Sequence, residues 1–277
     1  MSSDSFDDPM QRESLDLVQV LANAVDNFLS VTGGQLVAAL AVVGIANGIL
    51  GQSLLVQILE DVVAYTREAL DTSDPAVQEN IDTIEQTVES VGLTVDASVP
   101  VLLIGLLGLA VVVEAVRIVA VRAFASGELD GVSTESATRR LPIATAYGFI
   151  AVLVTWTAIT VLSALTFFLL FIPVVFVYLG LLFVRQEIAI ADAGLIEAIS
   201  NSWQLTKGNR WDLLLLVIVL FVVAIVIQVV TTPVAGTVGL VVSALLGSTE
   251  AIFGAALVTE AYVQLRGDTG AADGPSI

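Results

Sequence analysis

The stretch RQEIAIADAGLIEAISNSWQLTKGNRW, Arg185 to Trp211, is the one long segment of mixed polarity between two strongly apolar blocks in the second half of the chain. Asp192 is its expected N-cap, because a carboxylate there can accept from the free amides of a first helical turn. Leu195, Ile196, Ile199 and Trp203 then share one helical face, and Glu197, Asn201 and Gln204 the other. Gly208 suits the left-handed residue that ends a helix, and Lys207 beside it favours the negative end of the dipole. Asn209 caps the next helix, with Trp211 at its start and Asp212 in its first turn. The stretch reads as a short helix in a membrane interface leading at once into a spanning helix, since Trp203 and Trp211 favour the headgroup level. A solvated helical linker is the alternative.

The composition supports the membrane reading. Of 277 residues, 56% are hydrophobic, and the mean hydropathy is +0.93, well above that of a soluble domain. The apolar residues fall in blocks about 20 long, enough to cross roughly 30 Å of hydrocarbon. Cysteine and histidine are both absent. That removes disulfides, thiol nucleophiles and thiolate metal sites, together with the commonest general base and metal ligand.

The net charge of −18 sits almost wholly outside the apolar blocks, and Lys207 is the only lysine among ten basic residues. Such a lysine-poor acidic surface is associated with a halophilic archaeon, where carboxylates keep an acidic protein hydrated. A region that binds cations or basic partners is the competing reading. Nucleic acid is not an expected partner, because no basic patch is present to neutralise phosphates.

Taken in order, the chain predicts an all-α integral membrane protein. It is a six-helix transmembrane bundle with interfacial amphipathic helices and a small extracellular helical cap. Residues 1–34 comprise a polar, acidic tail without signal-peptide features and an amphipathic helix carrying Leu15, Val18, Leu21, Val25, Phe28 and Leu29, which Gly33-Gly34 breaks. That helix either lies on the cytoplasmic membrane face or packs on its own protein. The membrane domain, 35–266, has expected spans of about 35–59, 99–125, 142–163, 165–184, 211–230 and 247–265, with 185–210 as the interfacial helix and 267–277 as a mobile tail. In the first span Gly44 and Gly48 allow close helix approach. In the fourth, Pro173 predicts a kink.

The acidic insertion at 60–98 has Arg67 as its only basic residue. Val77, Ile81, Ile84, Val88 and Val91 repeat there at alternating spacings of four and three. This predicts a helix whose apolar seam pairs with the extended first span or with another copy. From Val234 to Gln264 the apolar run is too long for one upright span, and Gly247-Ser248-Thr249-Glu250 interrupts it. One tilted helix, or a short outer helix meeting a span, both fit.

Charge sets the expected orientation. With both termini cytoplasmic in the cell membrane, Arg67 is the only exterior basic residue. Tyr147, Tyr178, Trp203, Trp211 and Tyr262 gather at the inner boundary.

The run EAISNSWQLTKGNRW resembles the "EA-x3-SW-x-L-T-x-G-x-x-W" stretch of a group of bacterial and archaeal integral membrane proteins. The matching residues are Glu197, Ala198, Ser202, Trp203, Leu205, Thr206, Gly208 and Trp211. That group includes the membrane domain attached to some glycerophosphodiester phosphodiesterases and its uncharacterised haloarchaeal relatives. Pro173 and a closing A-Y-x-x-L-R (Ala261, Tyr262, Leu265, Arg266) are also similar. The resemblance covers roughly Ser163 to Arg266, implies a membrane domain, and offers no catalytic residues to transfer.

No phosphate-binding loop, HExxH, DxDxDG or G-x-S-x-G pattern is present, and no cofactor or metal site is expected. The chain therefore reads as a non-enzymatic membrane protein, a scaffold or accessory subunit. Its partners would be the lipid bilayer and either another protein or a second copy. The alternative is a small transporter or channel, with Glu114, Arg117, Gln228 and Glu250 as the candidate intramembrane polar site. Glu114 and Arg117, three apart, also fit a plain intrahelical pair, with Arg117 snorkelling to the interface.

Overall fold

The fold is described from a computed structural model that covers residues 15–70, 72–166, 171–231, 234 and 236–272. The acidic segment 1–13, the end of the tail and the Thr232-Pro233 pair lie outside the described residues. Among the described residues eleven helices follow one another: α1 (Leu17–Leu29), α2 (Val31–Ala69), α3 (Pro75–Ser90), α4 (Val99–Ala125), α5 (Thr134–Thr138), α6 (Leu141–Thr166), α7 (Phe171–Gly180), α8 (Val184–Ile190), α9 (Leu195–Leu205), α10 (Arg210–Thr231) and α11 (Gly236–Ala272). Among the described residues, six segments are long and apolar enough to cross a membrane: α2, α4, Leu141–Ser163 of α6, Pro173–Ile190 across α7 and α8, α10, and Gly236–Gly267 of α11. The chain is an all-α multi-pass membrane bundle. Its outer surface is apolar, with Leu215, Phe221, Val226 and Val229 of α10 exposed, as lipid contact demands.

The centre of the bundle is α2, α4 and α11, which pack on one another. The glycines of α2 make this possible. A Cβ on Gly44 would lie 3.3 Å from Ala244 Cβ, and one on Gly48 would lie 3.3 Å from Leu240 Cγ. With no hydrophobic force between helices in lipid, such close backbone approach is what supplies their attraction.

At the far end, α2 is long enough, at about 58 Å, to leave the hydrocarbon. There it carries α3. Ile81 is buried, and Val77, Ile84, Val88 and Val91 are half-buried beside it. Arg67 bonds to Glu85 at 2.6 Å. The seam packs on the extended first span, one of the two partners expected for it. The linker behind α3 is tied back by Val95 N–H donating to Ser53 Oγ, 2.7 Å.

Several boundaries differ from those expected. The break between α1 and α2 is at Ser30, whose hydroxyl donates to Asn27 O and accepts from Gly33 N–H. Gly33 lies inside α2, and it is glycine because a Cβ would run into the Phe28 carbonyl. The helix that carries the first apolar segment thus begins at Val31. Asp192 does not cap α9: it sits at φ +54° and pairs with Arg139 at 3.1 Å, leaving Gly194 as the cap. Two arginines outcompete a cap worth about 1 kcal/mol. The segment 185–210 is two helices, and its first part, α8, completes the fourth span. Finally, α11 runs unbroken through 247–250, with the Ser248 and Thr249 hydroxyls donating to Ala244 O and Leu245 O. The helix that carries the last apolar segment therefore starts at Gly236, well before residue 247.

Helix α1 packs on its own protein, one of the two readings of its sequence. Asp16 caps it by accepting from Val18 N–H and Gln19 N–H. Val20, Ala24 and Asn27 pack on α2 and α11, while Val18, Val25 and Leu29 are exposed on the opposite side.

Replacing Gly44 by leucine should overpack the α2–α11 contact and destabilise the protein by about 1–3 kcal/mol. Gly51→Leu, where nothing lies within 4 Å, should be nearly neutral. Thermal unfolding of the two variants in detergent compares them directly.

Candidate functional site

The polar chemistry of the described bundle collects at one end, where α8 meets α4, α6 and α9. Three consecutive residues of α8 carry it. Arg185 donates from Nε and Nη2 to the two oxygens of Glu114 on α4, at 2.8 and 3.1 Å. Gln186 is buried, and its Oε1 accepts no hydrogen bond among the described residues. Glu187, 3% exposed, turns the other way toward α9 and α11. It accepts from Tyr262 Oη at 3.0 Å, from Arg266 Nη1 at 2.8 Å and from Asn201 Nδ2 at 3.1 Å. Arg266 also donates to the Tyr262 hydroxyl, and Phe183 packs on the Tyr262 ring at 5.7 Å.

Around this hub several further charges are paired. Arg122, itself buried, donates from Nε to Ala189 O at 2.8 Å and from Nη1 to Arg139 O, and its Nη2 is 3.8 Å from Asp192. Arg139 bridges Asp192 and Ile190 O. Glu260 accepts from Asn27 at 2.5 Å and from Asn23 at 3.3 Å, fastening α1 to α11. In the loop after α4, Glu128 accepts from Ser133 N–H and from the hydroxyls of Ser133, Ser136 and Ser126. Partial burial alone would raise its pKa, but the hydrogen bonds from Ser133, Ser136 and Ser126 outweigh that and hold the carboxyl below its ordinary value.

The family-like motif braces this hub. Ser202 Oγ accepts from Phe183 N–H at 3.1 Å and donates to Gly180 O at 2.8 Å, filling the gap in backbone bonding between α7 and α8. Trp203 lies on Gly180, where a Cβ would strike its ring, and meets Phe176 edge-on. The Arg210 guanidinium covers Phe176 at 3.7 Å and Trp203 at 5.1 Å. Ala198 and Thr206 are fully buried, and Leu205 is half-buried in the core. Glu197 is exposed in the first turn of α9, where a carboxylate suits the dipole. Gly208 takes φ +105° to turn the chain into α10, and Trp211 is left 80% exposed. The interior face of α9 is therefore Ala198 and Ser202, and Ile196 points outward, 84% exposed.

Of the four candidate polar residues, Glu114 and Arg117 stand together on α4. They are not simply each other's partner, because Arg185 takes both oxygens of Glu114. Gln228 is exposed on α10, and Glu250 is half-buried on α11. None of the four lines either of two shallow clefts near the arginine-rich end. One, about 320 Å³, lies between Asn23, Asp26, Phe124 and Glu260; the other, about 240 Å³, lies between Arg122, Glu128, Ser136 and Arg139. Sequence reasoning missed Glu187, although Tyr262 and Arg266 are four apart on one helix face and so signalled a shared partner.

A family model described as "Domain of unknown function (DUF7847)" matches residues 15–265. No curated protein and no solved structure matches the chain.

Glu187→Gln should destabilise the bundle by roughly 2–3 kcal/mol, below the usual cost of breaking a buried ion pair because Arg266 is half-exposed. Asn201→Ala should cost only about 1 kcal/mol. Denaturant unfolding in detergent measures both. The Glu128 contribution should be complete at neutral pH and vanish as pH falls through its depressed pKa, since only the ionised carboxylate accepts from all these donors. Ser136→Ala should move that loss to higher pH, read from pH-dependent protease resistance of the loop after α4.

Proposed function

The chain belongs to the DUF7847 family, and from that premise we propose that it is a non-catalytic membrane scaffold or accessory subunit. The observation that carries this reading is the saturation of Glu187 by donors from two other helices. A carboxylate so fully engaged serves helix association rather than proton or substrate exchange. Glu114 is held in the same way by Arg185. The arginine-rich end faces the cytoplasm in this reading, as the bias of basic residues toward that end favours, and the cell membrane is the site of action. The α2–α3 projection is the contact region for a protein partner or a second copy. The resemblance to the membrane domain attached to some glycerophosphodiester phosphodiesterases fits a domain that accompanies an activity residing elsewhere. The acidic, lysine-poor surface fits a halophilic archaeal origin.

A small transporter or channel is the second reading. In its favour, side-chain oxygens of Gln52, Gln57, Thr259 and Gln264 are buried within the spans and accept no hydrogen bond among the described residues.

Purification in mild detergent at molar salt separates the two. A stoichiometric protein partner, lost when Ile81→Asp detaches α3, supports the accessory role. A lone chain that conducts ions or solute after reconstitution, and stops doing so in Glu114→Gln or Glu250→Gln, overturns it.

A further inference from the structure

The cluster of Glu114, Arg185 and Arg117 holds one carboxylate and two guanidiniums. Both Glu114 oxygens are occupied by Arg185 Nε and Nη2. Arg117 makes no hydrogen bond and no ion pair within 4 Å among the described residues, and the charges that act on it are those of Arg185 and Glu114. A net positive charge is thus left between α4 and α8, inside a segment apolar enough to span a membrane. An uncompensated charge at that depth is costly unless an anion or water meets it.

Position decides which. A Cβ on Gly148 of α6 would lie 2.7 Å from Glu114 Oε1, so Glu114 stands level with the second turn of α6. Arg117 lies about one turn nearer the arginine-rich end, and a long side chain extended from there reaches the headgroup level. Arg185 is 30% exposed, and Tyr178 beside it and Tyr147 on α6 are exposed at the same end, as interfacial tyrosines are. Arg185 keeps its Nη1 donors, and Arg117 all of its donors, for a partner from outside the chain.

We propose that Arg117 and Arg185, with Glu114 orienting the latter, form a site for a phosphate group, presented by an anionic phospholipid of the adjacent leaflet. Two guanidiniums facing one phosphate give paired, charge-assisted hydrogen bonds, and basic pockets between spanning helices favour such headgroups. The inference needs only that the bundle lies in a membrane, and it is independent of the scaffold reading.

Native mass spectrometry of the full chain, with phosphatidylglycerol and phosphatidylcholine in competition, tests it. The wild-type chain should retain phosphatidylglycerol selectively. Arg117→Gln should weaken that retention about tenfold or more, and Arg117→Lys, which keeps the charge but not the fork, should weaken it less. Arg140→Gln, exposed in the loop before α6, should leave it unchanged. Competition by millimolar inorganic phosphate would keep the phosphate site but assign it to a soluble ligand. Equal retention of the two lipids by the wild-type chain, or unaltered selectivity in a folded Arg117→Gln protein, overturns the proposal. The lipid competition on the wild-type chain needs no variant to fold.

Discussion

A carboxylate enclosed in a membrane bundle persists only where neighbouring helices supply the protons that water would have donated, and Glu187 is the residue on which this requirement falls. Its three donors come from α9 and α11, which are distant in sequence, so satisfying one charge fixes the relative placement of three helices. Removing a partner would leave that charge without solvent to compensate it, which is why such contacts are strict about geometry even where their net contribution is modest. The opposite face of α8 repeats the logic, with Arg185 and Glu114 joining it to α4. A helix of seven residues thereby organises a bundle of much longer ones.

The brace formed by Ser202, Trp203 and Arg210 follows from the same constraint. The chain leaves α7 at Gly180 and enters α8 at Val184, and the turn between them interrupts the helical hydrogen bonding. Irregular backbone at membrane depth requires substitute partners. Ser202 provides one acceptor and one donor, and Trp203 covers the glycine that permits the approach. The motif is thus explained by architecture.

Packing at the other end of the molecule rests on a different force. Gly44 and Gly48 bring α2 against α11 by close backbone contact, and the overlong α2 then offers a platform to which Ile81 docks. Polar pairing at one end and close backbone contact along the centre are complementary solutions to one problem, the absence of a hydrophobic drive between helices in lipid.

The sequence by itself determined the all-α class and the six spans, because block length against hydrocarbon thickness is a local property readable without any contact. The α3 seam and the turn at Gly208 were legible for the same reason, since periodicity and left-handed backbone are local signals. Only the tertiary structure decided that Asp192 pairs with Arg139 instead of capping α9, that Arg185 rather than Arg117 engages Glu114, and that Glu187 is the hub. Each of those outcomes depends on which polar and charged groups from separate parts of the chain come within about 3 Å of one another, and residues roughly 50 to 80 positions apart leave no trace of that distance in their spacing.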